Sequence, residues 1–208
     1  LSCYQRKEIK DVLAYLRLVI NPKDEEALMR VINYPTRGIG QTTLDKLVVA
    51  AKETGMSIFE LLSPENRSSL KINASTSNRL EDFATMIRSF QILAESADAF
   101  TLTEYVIKKS GLVLEMKKDG TPEGIARLEN MEELLNGIQD FVEGQREIDE
   151  ATGSIAEFLE DVALATDLDK EVGDDDRVAL MTIHLAKGLE FPYVFIVGME
   201  EDLFPSAM

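Results

Sequence analysis

The chain has 208 residues, 45% hydrophobic and 29% charged, which suits one or two globular domains with a real core. Its single cysteine and single histidine exclude an internal disulfide framework and the usual structural zinc site, and no stretch approaches the roughly 20 apolar residues of a membrane span. The formal net charge of -16, taken alone, argues against a nucleic-acid surface.

That charge is unevenly spread. Much of the acid sits at residues 143–150 and 167–176, whereas residues 29–47 carry Arg30, Arg37 and Lys46 against Asp45 alone. The lone cysteine and the charges throughout the first 17 residues, with no leader-like run, lead us to expect a reducing, cytoplasmic setting.

In chain order, Ile9, Val12, Leu13, Leu16 and Ile20 recur at helical spacing and predict a helix over residues 5–20, stopped by Asn21-Pro22. A short helix over 24–32 follows, with Ala27, Leu28, Val31 and Ile32 inward. Pro35-Thr36-Arg37-Gly38-Ile39-Gly40 then reads as a turn, and residues 43–53 as a helix burying Leu44, Leu47, Val48 and Ala51. Ser57-Ile58-Phe59-Glu60 has the form of a capping box.

Residues 64–77 are polar and loop-like, and a long helix over 78–96 aligns Leu80, Phe83, Ile87, Phe90 and Leu93. Thr101-Leu102-Thr103-Glu104 reads as a second capping box. Thr121-Pro122 predicts a helix start, with Ile125, Leu128, Met131, Leu135 and Ile138 on its inner face. Ser154-Ile155-Ala156-Glu157 opens the last helix, and residues 167–176 read as an acidic linker.

After that linker the period changes. Val178-Ala179-Leu180-Met181 and Tyr193-Val194-Phe195-Ile196-Val197 look like buried strands. A helical block between a terminal helix and terminal strands predicts an insertion in an α/β domain. The chain starts at a helix and ends after a strand, as a piece of something larger would.

Two segments carry candidate chemistry. The glycines of Arg37-Gly38-Ile39-Gly40 permit a tight turn, and backbone N–H groups before a helix start form a phosphate cradle. Thr36, Thr42 and Thr43 add hydroxyls and Arg37 a charge, the kind of contact that grips a nucleic-acid backbone without reading bases. A plain interhelical turn has the same spacing. Between the two apolar runs, residues 182–191 place His184, Lys187, Gly188 and Glu190 together: a base- or phosphate-directed imidazole, a phosphate-directed ammonium and a carboxylate suited to a sugar hydroxyl. An ordinary loop with a solvated Lys-Glu pair fits as well. There is no G-x-x-x-x-G-K-[ST] loop, no nucleophile elbow and no alternating calcium-loop pattern at Asp174-Asp175-Asp176.

Taken together, three stretches resemble the UvrD/Rep/PcrA group of superfamily 1 DNA helicases. Arg6-Lys7-Glu8-Ile9-Lys10-Asp11 through Ala14-Tyr15-Leu16-Arg17-Leu18 is similar to that family's R-x-E-I-K-D…YLRL helix. Asn33-Tyr34-Pro35-Thr36-Arg37-Gly38-Ile39-Gly40 is similar to its N-x-P-x-R-G-I-G segment. The run from Leu180 to Phe191, with Val197-Gly198-Met199-Glu200-Glu201 and Phe204-Pro205, is similar to motif V and its following strand. Arg127-Leu128-Glu129-Asn130 also fits.

The resemblance implies a mainly α fold: residues 1–20 and 177–208 as pieces of RecA-like domain 2A, and residues 21–176 as the helical 2B insertion. It implies a fragment of an ATP-dependent 3′-to-5′ DNA helicase acting at a single-strand/duplex junction, with the rest of the helicase chain and repair proteins as partners. Thr182, His184, Lys187 and Gly188 fall on the single-strand track and its coupling to the nucleotide. Glu190 falls on the ribose contact, and Thr36, Arg37, Gly38, Ile39, Gly40, Thr42 and Thr43 on the duplex backbone. Arg6 and Glu8 fall where the family's first helix is held in place. ATP and Mg2+ belong to the parent, and no metal site or catalytic residue is expected here, so the chain alone is expected neither to hydrolyse ATP nor to unwind DNA. A stand-alone helical DNA- or protein-binding module, or a helicase-like subunit of a recombination nuclease, are the alternatives.

Overall fold

The structure, a computed structural model, describes residues 3–148, 152–171, 180–181, 186 and 190–197. Leu1–Lys170 form one compact unit and Glu171–Met208 a second. In the first unit, helix α1 (Lys7–Ile20) is buried nearly all round: Ile9, Val12, Tyr15, Leu16 and Leu18 are all shut off from solvent. A helix apolar on most faces must be enclosed by others. Here α2 (Glu25–Val31), α6 (Ala74–Ala94), α7 (Ala99–Ser110) and α9 (Pro122–Gln145) enclose it. The helical unit therefore contains α1, and no boundary between compact units falls at residue 20. Ile20, expected inward, ends the helix 45% exposed.

The other helices are α3 (Gln41–Thr54), α4 (Ile58–Leu61), α5 (Pro64–Arg67), α8 (Leu112–Lys118) and α10 (Ile155–Glu171). Phe83, Ile87 and Phe90 of α6, and Leu102 and Val106 of α7, complete the core around α1. Burial of each large side chain contributes about 1.5–3 kcal/mol.

Several boundaries differ from the sequence reading. The 64–77 stretch is not all loop. Pro64 at its first turn starts α5, and Asn73, accepting a hydrogen bond from the Thr76 N–H at 2.8 Å, starts α6 four residues before the expected point. The cap of α7 is Asp98, which accepts from the Thr101 N–H at 2.8 Å, so Thr101 lies inside the helix rather than opening it. Along α9 the inner stripe is Met131, Leu134, Ile138 and Val142, and Ile125 is 54% exposed. Helix α10 runs to Glu171, into the stretch read as a linker.

In the second unit, Leu180, Met181 and residues 190–197 form neither helix nor strand. The run Tyr193–Val197, expected as a buried strand, is exposed along its whole length. A strand needs a neighbour to take its backbone hydrogen bonds, and the described residues supply none. The fold is mainly α, with no strand among the described residues.

Candidate nucleic-acid interface

Helix α2 ends in a tight turn built around Asn33. Its Oδ1 accepts from the backbone N–H of Arg37 at 2.9 Å and of Ile39 at 3.1 Å. The Tyr34–Pro35 peptide is cis. Ile39 is fully buried and anchors the turn, while Thr36, Gly38 and Gly40 stay exposed. Gly38 has φ of +72°, a conformation that favours glycine, and a Cβ there would lie 2.6 Å from Nη1 of Arg79. The cradle expected of this turn is thus partly closed, because two of its N–H groups point inward to Asn33.

Arg37 also turns inward. Its Nη1 donates to the carbonyls of Val31 (2.9 Å) and Pro35 (3.1 Å), and its Nη2 to the Tyr15 hydroxyl (2.6 Å) and the Ser110 carbonyl (2.9 Å). Four of the five guanidinium donors are thereby occupied. The group also stacks near the rings of Tyr15 and Phe83. The Tyr15 hydroxyl in turn donates a hydrogen bond to the Tyr34 carbonyl at 2.5 Å. Arg37, half-buried, thus commits four donors to locking the turn to α1 and to the end of α7. Arg30 is likewise spent, on the buried Asp11 carboxylate at 2.7 Å. Burial pushes the Asp11 carboxyl above its ordinary value, and Arg30 pulls it back only in part.

What the turn does expose is the start of α3. Gly40 occupies the cap position and supplies no side-chain cap. Thr43 and Leu44 return their N–H groups to the Gly40 carbonyl. Gly40, Gln41 and Thr42 are exposed there, and the first N–H groups of a helix are orphans that attract anions. Thr43 is half-buried. Thr42 and Thr43 sit in the first turn and do not cap it.

Two further cations stand beside this helix start. Arg79, on α6, donates from Nη1 to the Gly38 carbonyl at 2.8 Å. Lys46, one turn along α3 from Thr42, donates to the Lys71 carbonyl at 2.6 Å, which ties the chain entering α6 to α3. Sequence reasoning missed Arg79, because its place at the turn depends on packing across 41 residues.

A profile of the UvrD-like helicase C-terminal domain matches residues 1–208. The chain belongs to the UvrD-like helicase C-terminal domain family. It is 38% identical over 208 residues to the ATP-dependent DNA helicase PcrA of Bacillus subtilis, covering 97% of this chain and 27% of that protein. It is 38% identical over 205 residues to DNA helicase II of Haemophilus influenzae, covering 98% and 28%. PcrA of Leuconostoc citreum is 37% identical over 203 residues. The chain thus spans little more than a quarter of the length of these relatives.

For a UvrD-like helicase segment, the contacts of its first helix are informative. Glu8 accepts from Asn130 Nδ2 at 2.6 Å, and Arg6 donates to the Asn130 side-chain oxygen and pairs with Glu133 at 3.4 Å. The Arg6–Asp11 and Arg127–Asn130 stretches, far apart in sequence, meet here and join α1 to α9. Glu190 is exposed. Thr182, His184, Lys187 and Gly188 lie outside the described residues. Among the described residues, no group of three His, Cys, Asp or Glu could hold a metal ion, and no helix is long and apolar enough to cross a membrane. The described residues build no nucleotide pocket around Glu190.

Proposed function

We propose that this chain is the part of an ATP-dependent 3′-to-5′ DNA helicase that carries the duplex-holding 2B insertion (residues 21–176) and flanking pieces of domain 2A. The observation that carries the duplex contact is the uncapped start of α3 behind the glycine turn. Gly40, Gln41 and Thr42 offer N–H donors to a backbone phosphate, the helix dipole favours the negative charge, and nothing there reads bases. Thr36, Gly38 and Thr43 shape the approach, and Ile39 and Arg37 hold it in place from within. The printed names of the relatives, ATP-dependent DNA helicase and DNA helicase II, support the motor reading.

On this reading Thr182, His184, Lys187 and Gly188 couple the single strand to the nucleotide, and Glu190 meets the ribose. ATP and Mg2+ are held mainly by groups these 208 residues do not include, since no phosphate-binding loop occurs among them. The partners are a single-strand/duplex junction, the rest of the helicase chain and repair proteins.

A substitution at Gly40 tests the duplex contact. A Cβ there meets nothing within 4 Å, so Gly40→Asp fits. The aspartate caps α3 from within and adds negative charge, which stabilises the fold by about 0.5–1 kcal/mol. It also occupies the donors and repels phosphate. The expected outcome is a raised unfolding midpoint with weaker binding to a tailed duplex, and in the unsubstituted chain a binding constant that falls as salt rises. Unchanged duplex affinity in G40D removes the α3 start from the interface.

A further inference from the structure

Resting on the duplex-contact reading above, we propose that Arg79 supplies the phosphate-binding charge at the glycine turn, in place of Arg37, whose guanidinium is consumed inside. The described arginines divide sharply by what they touch. Arg6, Arg17, Arg30, Arg67, Arg88, Arg127 and Arg146 each pair with a carboxylate. Arg37 is held by carbonyls and a phenol. Arg79 is exposed, and among the described residues no carboxylate lies within ion-pair distance of it. Among the described residues its carbonyl acceptor is Gly38, at 2.8 Å. Anchoring one Nη1 hydrogen there aims the group and leaves the other guanidinium donors for a bidentate phosphate contact.

The position is as telling as the lack of a partner. Two residues of chain span at most about 7 Å, so the guanidinium beside Gly38 stands within about 10 Å of the Gly40 donors. That is close to the Debye length of about 8 Å in physiological salt. Charges much farther off are screened, so the net charge of -16 does not set the potential felt at this turn. The charges at the turn itself do: Arg79 on the Gly38 carbonyl, set against the Asp45 carboxylate that accepts from Gln41 Nε2 at 2.8 Å. Arg79 also occupies the space over Gly38: the φ of +72° favours glycine there, and a side chain at 38 would have to displace the guanidinium.

Binding of this chain to a duplex with a single-stranded tail, measured over a salt series, tests the assignment. Arg79→Gln is expected to bind about tenfold more weakly at low salt. Its plot of log K against log salt is expected to be shallower by about 0.9, the loss of one phosphate contact. Arg79→Lys, which keeps the charge, is expected to restore most of the affinity and the full slope. If R79Q and R79K weaken binding equally with an unchanged slope, Arg79 only props the turn and the proposal fails. If R79Q binds as the parent does while G40D does not, the proposal fails and the duplex reading stands. If the unsubstituted chain binds no duplex, both fall.

Discussion

At the scale of single residues, Arg37 carries the main revision. Its place beside a G-x-G turn recommended it for phosphate, yet its donors reach four internal acceptors on three stretches of chain. Burial pushes the Tyr15 phenol up to about 12, so Tyr15 stays neutral and keeps its proton for the Tyr34 carbonyl. Arg37→Ala takes the Arg37 donor from the Ser110 carbonyl and the Tyr15 hydroxyl, removes the tie between the turn, α1 and α7, and is expected to cost about 3 kcal/mol. Arg37→Lys, a point charge without the planar fork, is expected to recover only part of that. Urea unfolding of both variants checks this; wild-type stability in R37A would show that the hub is dispensable. Loss of DNA binding in such variants reports on folding first, so Arg37 is a poor probe of the interface.

At the scale of elements, helix starts were legible where the cap is local. Ser57 and Glu60 form the reciprocal box read from sequence, Thr121 accepts from the Gly124 N–H, and Ser154 and Glu157 pair in the same way. At α7 two local patterns competed, Asp98 and the Thr101–Glu104 box. The earlier residue won because an anionic carboxylate suits a helix start and because capping there lets Ala99 and Leu102 both turn inward.

This cap has a pH consequence. Burial alone raises the Asp98 carboxyl, but the Thr101 N–H and hydroxyl and the Arg146 guanidinium outweigh it and hold the group below its ordinary 3.8. Asp24, bound by Arg17 and the Ala27 N–H, behaves alike. An acid whose folded value is lowered stabilises the fold above its unfolded value, and that stability is lost as pH falls through the folded value. Stability is therefore expected to drop below about pH 3.8. Asp98→Asn keeps a capping side chain but no longer titrates. Its urea midpoint is expected to change less between neutral and acid pH than that of the parent, and an identical acid loss would sink the assignment. Asp11 works in the opposite sense, because its folded value is raised and it takes up its proton in the fold first.

At the scale of the whole molecule, all of the buried hydrophobic core among the described residues, from Ile9 to Val162, lies in the first unit. The described residues of the second unit leave Leu180, Tyr193, Val194, Phe195 and Val197 largely in solvent. A chain ending at Lys170 is therefore expected to unfold cooperatively with a midpoint within a few degrees of the parent. A loss of cooperativity on truncation would show that the second unit contributes to the core. In a chain of net charge -16, local placement and not the total decides the field at the α3 start, where Arg79 stands without a carboxylate partner among the described residues and Asp45 is bonded to Gln41.

The sequence by itself determined the mainly α architecture, most helix positions, the turn at Asn33–Gly40 and the family, because apolar periodicity, caps and glycine turns are written within a few neighbouring residues. The tertiary structure decided which charges face out. Arg37 and Arg30 were drawn inward by carbonyls and a carboxylate, the Asn33 oxygen closed part of the expected cradle, and Arg79 came to Gly38 from a different helix. A cation's partner is chosen by distance in space, and the residues that meet at this turn lie as much as 73 positions apart. The exposed run at 193–197 has the same cause: a continuous apolar run rich in β-branched and aromatic residues marks a buried strand, but only a neighbouring strand makes one.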